Sequence, residues 1–174
     1  MVQATTTKVA AKSITDHQLG TKITSIDPAP RREIDHLVHH IIRTPFEQID
    51  YNFIFSLKKN DILFIDNSHR VLPNSDATVF FLEVLPRLQS GVIVHLHDIY
   101  LPCDYPPFMC DRFYSEQYML AAFLLANPQK YNILLPNYFI SEDTELSASI
   151  APIWEHPHLE GVERHGGSFW LQIA

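Results

Sequence analysis

Three short apolar segments, each followed by an aspartate, constrain the fold of this sequence more than any other feature. The segments KITSI, ILFI and VIVHLH precede Asp27, Asp66 and Asp98. Helix-like segments lie between them, and strands that alternate with helices indicate βαβ units and a mainly parallel sheet. The carboxyl ends of parallel strands share one edge of a sheet, where open α/β folds bind their ligands. The pattern therefore predicts an α/β fold with three carboxylates along one edge.

The other elements follow from hydrophobic periodicity and turn residues. Pro45 limits its strand to the edge of a sheet, Gly20 suits a left-handed turn after the first helix, and the last two strands can pair antiparallel. No domain boundary is visible, so we expect one domain over residues 1–174. We predict helices over residues 8–17, 31–40, 51–59, 76–88, 116–126 and 148–154, and strands over residues 22–26, 41–49, 62–65, 92–96, 131–135 and 168–173.

Composition and charge exclude several classes of partner. The chain is 46% apolar and 19% charged, which is typical of a globular domain, and its formal net charge is −7. An acidic chain has no basic excess with which to hold nucleic acid or an anionic membrane, so we expect neither partner. No apolar run reaches the roughly 20 residues of a membrane span, and no export signal is visible. We therefore expect a cytoplasmic protein with Cys103 and Cys110 as thiols.

The acids at the strand ends suggest a chemical site. If ILFI and VIVHL pair, Asp66 and Asp98 end neighbouring strands roughly 5 Å apart. Two carboxylates that close repel each other unless they share a proton or a cation, so a divalent metal is one hypothesis. His97 and His69 are candidate ligands or general bases. The alternative is that each aspartate caps the following helix or turn.

Other histidines have simpler explanations. His36, His39 and His40 lie at helical spacing, and a solvated helix face explains them better than a metal site does. His95 lies within a buried strand, where a hydrogen-bonded core histidine is commoner than a ligand. The loop over residues 104–108 is either a lid over a substrate or a proline-stiffened connection.

Residues 61–106 resemble a bacterial branch of the class I S-adenosylmethionine-dependent methyltransferases. The resemblance rests on FIDNSH, on the helix that ends in LPRLQSG and on VIVHLHDI, in that order. KITSIDPAPR resembles the strand that carries the ribose-binding acid, and RFYSEQYMLAAFLLAN resembles the helix that follows the lid. The resemblance implies a Rossmann-like fold: a mainly parallel sheet, helices on both faces and an antiparallel C-terminal strand.

The resemblance also implies an activity and a site. It implies methyl transfer from S-adenosylmethionine to a small-molecule acceptor that carries a hydroxyl or amino group. Asp27 would hold the ribose and Asp66 would close the far side of the pocket, with Phe46 or Glu47 near the adenine. The candidate catalytic residues are His97, Asp98 and His69. Related enzymes hold magnesium at the ends of these two strands, which makes Asp66 and Asp98 candidate metal ligands, although His97 replaces a frequent second acid.

The sequence departs from the family at its start. The family begins with a central strand and a glycine-rich turn, whereas here no glycine precedes Gly20 and the first strand is missing or degenerate. Three compensations are open: residues 2–7 form a makeshift strand, KITSI and ILFI pair directly, or another chain fills the gap. We therefore expect a homodimer. The alternative function is a non-catalytic or truncated relative with impaired cofactor binding that acts as an assembly module.

Overall fold

The chain divides into two compact units. The structure is a computed structural model that describes residues 2–30 and 33–174. The first unit is Met1–Asp50 and the second is Tyr51–Ala174. The expectation of a single domain over residues 1–174 stays a prediction. No helix in the described ranges is both long and apolar enough to cross a membrane.

The first unit contains one long helix and a two-stranded sheet. Helix α1 (Val2–Asp16) begins six residues before its predicted start, and Gln18 rather than Gly20 takes the left-handed conformation after it, with φ 53°. Strands β1 (Thr24–Ile26) and β2 (His40–Ile42) pair in parallel. One 3-10 turn, Asp35–Leu37, lies between the two strands, and another, Phe46–Gln48, follows β2.

The helix predicted over residues 31–40 is wrong where the structure describes it. Arg31 and Arg32 lie outside the described residues, and only Asp35–Leu37 is helical. The backbone N–H groups of His39 and His40 donate to the carbonyl of Ile23, because this segment enters the sheet beside β1. Strand pairing thus overrides a helical apolar period. The predicted helical face of histidines is therefore not formed.

The second unit contains a four-stranded sheet with short helices between its strands. Its predicted helices at residues 51–59 and 76–88 are shorter or less regular than expected. Pro86 explains why the segment predicted as a helix over residues 76–88 is irregular, because proline has no N–H to donate to a helical hydrogen bond. The elements are α2 (Asn52–Phe55), β3 (Ile62–Ile65), α3 (Asp76–Val79), a π turn (Phe80–Val84), a 3-10 turn (Leu85–Arg87), β4 (Ile93–Leu96), a 3-10 segment (Pro107–Arg112), α4 (Glu116–Ala126), β5 (Tyr131–Pro136), α5 (Asn137–Glu142), α6 (Thr144–Trp154), a 3-10 turn (Pro157–Leu159) and β6 (Phe169–Ile173).

This sheet is mixed rather than mainly parallel. Its strand order is β3-β4-β6-β5. Strands β3 and β4 are parallel, whereas β6 lies between β4 and β5 and is antiparallel to both. The antiparallel pairing expected for the last two strands is therefore confirmed. The prediction of a mainly parallel sheet is wrong for this unit, because the returning strand β6 adds two antiparallel pairings.

Alternation along the strands separates two faces of the sheet. On β4, Val94 and Leu96 are fully buried and belong to the core, together with Leu63 of β3 and Leu171 of β6. Side chains of a strand point alternately to opposite faces, so the residues between these belong to the second face. There Phe64, His95 and Trp170 are in register across three strands.

The pairing in the two sheets tests how the missing central strand of the family could be replaced. Among the described residues, β1 pairs only with β2 and β3 pairs only with β4. Residues 2–7 belong to helix α1, so they do not form a makeshift strand. KITSI and ILFI belong to different sheets, so these two segments do not pair directly either. Two of the three proposed compensations are therefore wrong.

Candidate active site

His69 lies among three carboxylates in the second unit. Its Nδ1 atom contacts Oε1 of Glu116, and its Nε2 atom lies 3.2 Å from Oδ1 of Asp66 and 3.8 Å from Oδ2 of Asp98. The whole residue is only 4% exposed. The sequence predicted three carboxylates along one sheet edge, and the structure places only Asp66 and Asp98 at the ends of neighbouring strands, with the imidazole of His69 close to both. The prediction is wrong for Asp27, because β1 belongs to a different sheet.

The parallel pair β3 and β4 brings the two aspartates together. Asp66 directly follows β3, and the N–H of His97 donates to the carbonyl of Ile65 at 2.9 Å, which continues the ladder past β4. Asp98 then turns into the left-handed region with φ 54°, and His69 adopts φ 59°. Such conformations are uncommon for residues other than glycine, cost about 1 kcal/mol or more, and cluster at functional sites.

The loop that carries His69 is tied to the start of helix α4. The carbonyl of His69 accepts from the N–H of Ser115 at 2.8 Å and from that of Glu116 at 3.3 Å. In return, Oγ of Ser115 accepts from the N–H of Val71 at 2.9 Å. The N–H of His69 donates to Oδ1 of Asn67 at 2.8 Å. These bonds fix the imidazole and the Glu116 carboxylate relative to each other.

The surrounding acids hold His69 in its charged form. Burial by itself lowers the pKa of His69, but its hydrogen bonds to Asp66 and Glu116 and the nearby negative charges raise that pKa to about 10. Burial raises the pKa of Asp66, and the contacts with His69 and His97 outweigh it, so the net change is downward. For Glu116, which is 1% exposed, burial dominates and the pKa is raised. A histidine that is charged at neutral pH does not act as a general base, so His69 provides a fixed positive charge instead.

His95 lies within β4 and His97 directly follows it, and the two side chains have different surroundings. Nε2 of His97 lies 3.6 Å from Oδ1 of Asp98, and its side chain is partly exposed. His95 is 6% exposed and packs between Phe64 and Trp170, with 4.3 Å between ring centroids on each side. Neither nitrogen of His95 has a hydrogen-bond partner among the described residues, which corrects the expectation of a hydrogen-bonded core histidine. Burial lowers the pKa of His95 to about 4, so the ring is neutral.

Several tyrosines pack together next to His69. The ring of Tyr114 lies 4.4 Å from that of His69, between centroids. Tyr100, Tyr105 and Met109 are buried and pack together with Tyr114 and Tyr138. A Cβ atom at Gly167 would lie 3.1 Å from the Tyr100 ring, so a side chain here would require a shift of a few tenths of an ångström.

The loop over residues 104–108 is anchored to helix α4. Oδ1 of Asp104 accepts from the hydroxyl of Tyr118 at 2.5 Å, and the hydroxyl of Tyr105 accepts from the N–H of Gln117 at 3.3 Å. Oε1 of Gln117 also accepts from the N–H of Tyr100 at 3.0 Å. These bonds favour the stiff connection over a mobile lid.

The residues expected to hold the adenosine form a separate group in the first unit. Asp27 follows β1, and its N–H donates to the carbonyl of Ile42 at 3.1 Å. Its Oδ1 accepts from the N–H of Ala29 at 2.9 Å, so Asp27 also stabilises a turn. Phe46 and Glu47 begin the 3-10 turn after β2. Because β1 and β2 are parallel, these groups follow strand ends at one edge of that sheet.

Asp66 and Asp98 do not fit the predicted magnesium site. Magnesium takes oxygen ligands at about 2.0–2.1 Å, whereas these carboxylates face a charged imidazole nitrogen. Within residues 2–30 and 33–174, no group of three or more His, Cys, Asp or Glu side chains is arranged to hold a metal ion. The metal prediction therefore lacks support in this structure.

Comparison with known protein families identifies the class of domain. A family model described as a methyltransferase domain matches residues 5–99, which is more than half of the chain. The chain belongs to this family. Searches with this chain found no matching curated protein and no matching solved structure. The family match includes Asp27, Asp66, His69 and Asp98, but ends before Glu116.

Sequence reasoning missed the role of Glu116 in this methyltransferase domain. The residue was recognised only as the start of a helix, and it lies 47 positions from His69 in the chain. The available signal was an acid directly after Ser115 in a helix that is apolar from Tyr118 onwards. That signal marks a helix start equally well, because acids are favoured in the first turn.

Proposed function

We propose that this domain transfers a methyl group from S-adenosylmethionine to a small acceptor that carries a hydroxyl or amino group. The observation that carries the proposal is the pair of carboxylates, Asp66 and Asp98, at the ends of two parallel strands. Membership in the methyltransferase family supports it. Open α/β sheets bind their ligands at this edge.

The residues at this edge suit removal of a proton from the acceptor. Asp98 is partly exposed, and one of its oxygens lies 3.6 Å from Nε2 of His97. We assign Asp98 as the group that accepts the acceptor's proton and His97 as the group that orients it. Nε2 of His69 lies 3.8 Å from the other oxygen of Asp98.

The first unit suits the adenosine part of the cofactor. Asp27 has a carboxylate at the end of β1, where a ribose hydroxyl is commonly held, and Phe46 supplies an aromatic ring at the end of β2. When bound, S-adenosylmethionine supplies an electrophilic methyl group on its sulfonium. The glycine-rich turn of the family has no counterpart before Gly20. We therefore expect weak cofactor binding, because each lost backbone hydrogen bond costs about 1 kcal/mol.

A methyl-transfer assay tests the proposal. The chain is incubated with S-adenosylmethionine and a panel of small phenols, sugars and amines, and release of S-adenosylhomocysteine is measured. We expect acceptor-dependent release with cofactor saturation near the millimolar range. Asp27→Ala should raise the KM for the cofactor with little change in kcat, because the ribose contact is equal in the ground and transition states. Asp16→Ala, which removes a surface ion pair with Lys12, is the matched control.

The second candidate function is a non-catalytic relative that acts as an assembly module. This alternative supposes that the chain lacks the glycine-rich turn through which the family approaches the methionine part of the cofactor. Under this alternative, no acceptor yields S-adenosylhomocysteine. Neither cofactor nor product then binds at millimolar concentration in isothermal titration. That pair of results would reject the first proposal.

We also propose that the chain forms a homodimer. Among the described residues β3 pairs along one edge only, and Ile62 at its start is 56% exposed. Unpaired apolar strand edges recruit further strands, and a two-fold dimer is the commonest closed assembly. We expect light scattering at micromolar concentration to give twice the 20.1 kDa chain mass, and Ile62→Lys to shift the protein towards monomer. A wild-type mass near 20.1 kDa contradicts the proposal.

A further inference from the structure

The most unusual charged group in the second unit is a buried cation among acids. His69 contacts Asp66, Asp98 and Glu116 within 4 Å, and both of its ring nitrogens are used. Two adjacent carboxylates at a strand edge need a positive charge between them if both are to stay ionised. Here the chain supplies that charge from a side chain three residues after Asp66.

We propose that the His69 side chain, held in place by Glu116, takes the structural place of a divalent metal and organises Asp66 and Asp98 without one. The inference concerns the ion cluster and stands apart from methyl transfer. It would hold equally in a non-catalytic relative, because it requires only that the two strand-end carboxylates be fixed.

The geometry supports a built-in cation over a vacant metal site. Nε2 of His69 lies 3.2 Å from Asp66 and 3.8 Å from Asp98, so the ring lies where an ion bridging the two carboxylates would lie. A second cation there would meet the imidazolium at close range and repel it. The ring cannot turn aside freely, because Glu116 contacts its other nitrogen and Tyr114 packs on its face.

The role of Glu116 follows from its burial. The residue is 1% exposed and its Oε1 contacts His69. Oε2 of Glu116 has no hydrogen-bond partner among the described residues, so the His69 contact is the interaction that compensates the burial of this carboxylate. A buried acid that serves one contact is a positioning residue. It fixes the direction in which Nε2 points, and so fixes the two aspartates.

Manganese binding to the full chain tests the proposal. Mn²⁺ is titrated and the free ion is followed by electron paramagnetic resonance. The wild-type chain should show no saturable binding up to about 1 mM, the weak end of protein sites for hard divalent cations. His69→Ala should gain saturable binding, because it leaves Asp66, Asp98 and Glu116 around a space with no cation. Free imidazole should displace that Mn²⁺ by occupying the same space.

Two further variants complete the test. His165→Ala, which removes a histidine that contacts only the exposed Glu163 among acids, should behave as wild type and bind no Mn²⁺. His69→Gln removes the charge but keeps a polar side chain, so it covers the case in which the alanine variant does not fold, and it should gain Mn²⁺ binding as well. Saturable Mn²⁺ binding by the wild type that Asp66→Asn abolishes would overturn the proposal. Failure of both His69 variants to gain binding would also overturn it.

Discussion

At pH 7, His69→Ala should lower the free energy of unfolding by about 3–5 kcal/mol, the cost of breaking a buried ion pair by removing one partner. The variant leaves Glu116 buried at 1% exposure beside Asp66 and Asp98, with no positive charge to compensate them. Urea unfolding followed by circular dichroism measures the change. His165→Ala, whose ion-pair partner Glu163 is exposed, should cost less than about 1 kcal/mol.

The double variant His69→Ala, Glu116→Gln separates charge from packing. If uncompensated charge causes the loss, replacing the buried carboxylate by an amide should restore part of the stability, and the two substitutions should be strongly non-additive. Additive losses would indicate that the imidazole contributes mainly by packing against Tyr114.

The cost of His69→Ala should also depend on pH in a defined direction. Folding raises the pKa of His69 from 6.5 to about 10, so the stabilisation from its charge is fully present below pH 6.5 and is lost as the pH rises through 10. The difference between wild type and variant should therefore be large at pH 7 and narrow above pH 10. A difference that stays constant over this range would show that His69 is neutral in the folded chain.

The acid edge of the sheet was predictable because its signal is local. Apolar runs that end in Asp66 and Asp98 indicate strands whose carboxyl ends share an edge, and the parallel pairing of β3 with β4 confirms that inference. The antiparallel terminal strands were predictable for a similar reason. Two short apolar segments with a long connection between them suit such a pairing.

Other features depend on contacts between distant segments and left no local signal. Residues 35–42 have a helical apolar period, yet pairing with β1 makes the last part of them a strand. Strand β6 lies between β4 and β5. This order is determined by tertiary packing, and the hydrophobic periodicity of the single segments carries no information about it. Two close aspartates indicate a shared proton or cation, and the sequence suggests a divalent metal as one candidate for that cation. The sequence suggests His69 as a metal ligand or a general base, not as the cation itself.

Glu116 shows why the site was incompletely predicted. An acid at the start of a helix is ordinarily a solvated group that interacts with the helix dipole. Here the same residue is buried, because the loop after β3 folds back so that the carbonyl of His69 accepts from the N–H groups of Ser115 and Glu116. Burial of that carboxylate then requires a nearby cation. Only the folded chain reveals that His69 and Glu116 need each other.

Asp98→Asn is expected to lower kcat for methyl transfer by about 10²- to 10⁴-fold, the usual contribution of a positioned proton acceptor. The amide keeps the shape of the side chain but cannot accept the acceptor's proton. The KM for S-adenosylmethionine should change little, because we assign the cofactor's ribose contact to Asp27 in the first unit. The measurement is acceptor-dependent release of S-adenosylhomocysteine at saturating cofactor.

Two comparisons distinguish this role of Asp98 from a structural one. Asp111→Asn, at an exposed aspartate, is the matched control and should leave kcat unchanged. His97→Ala should lower kcat less than Asp98→Asn does, because His97 lies 3.6 Å from Asp98 and acts through it. Urea unfolding of all three variants shows whether lost activity reflects lost fold. If Asp98→Asn instead raised the KM for the cofactor and left kcat intact, Asp98 would be a binding residue, and the proton acceptor would have to lie elsewhere at this edge.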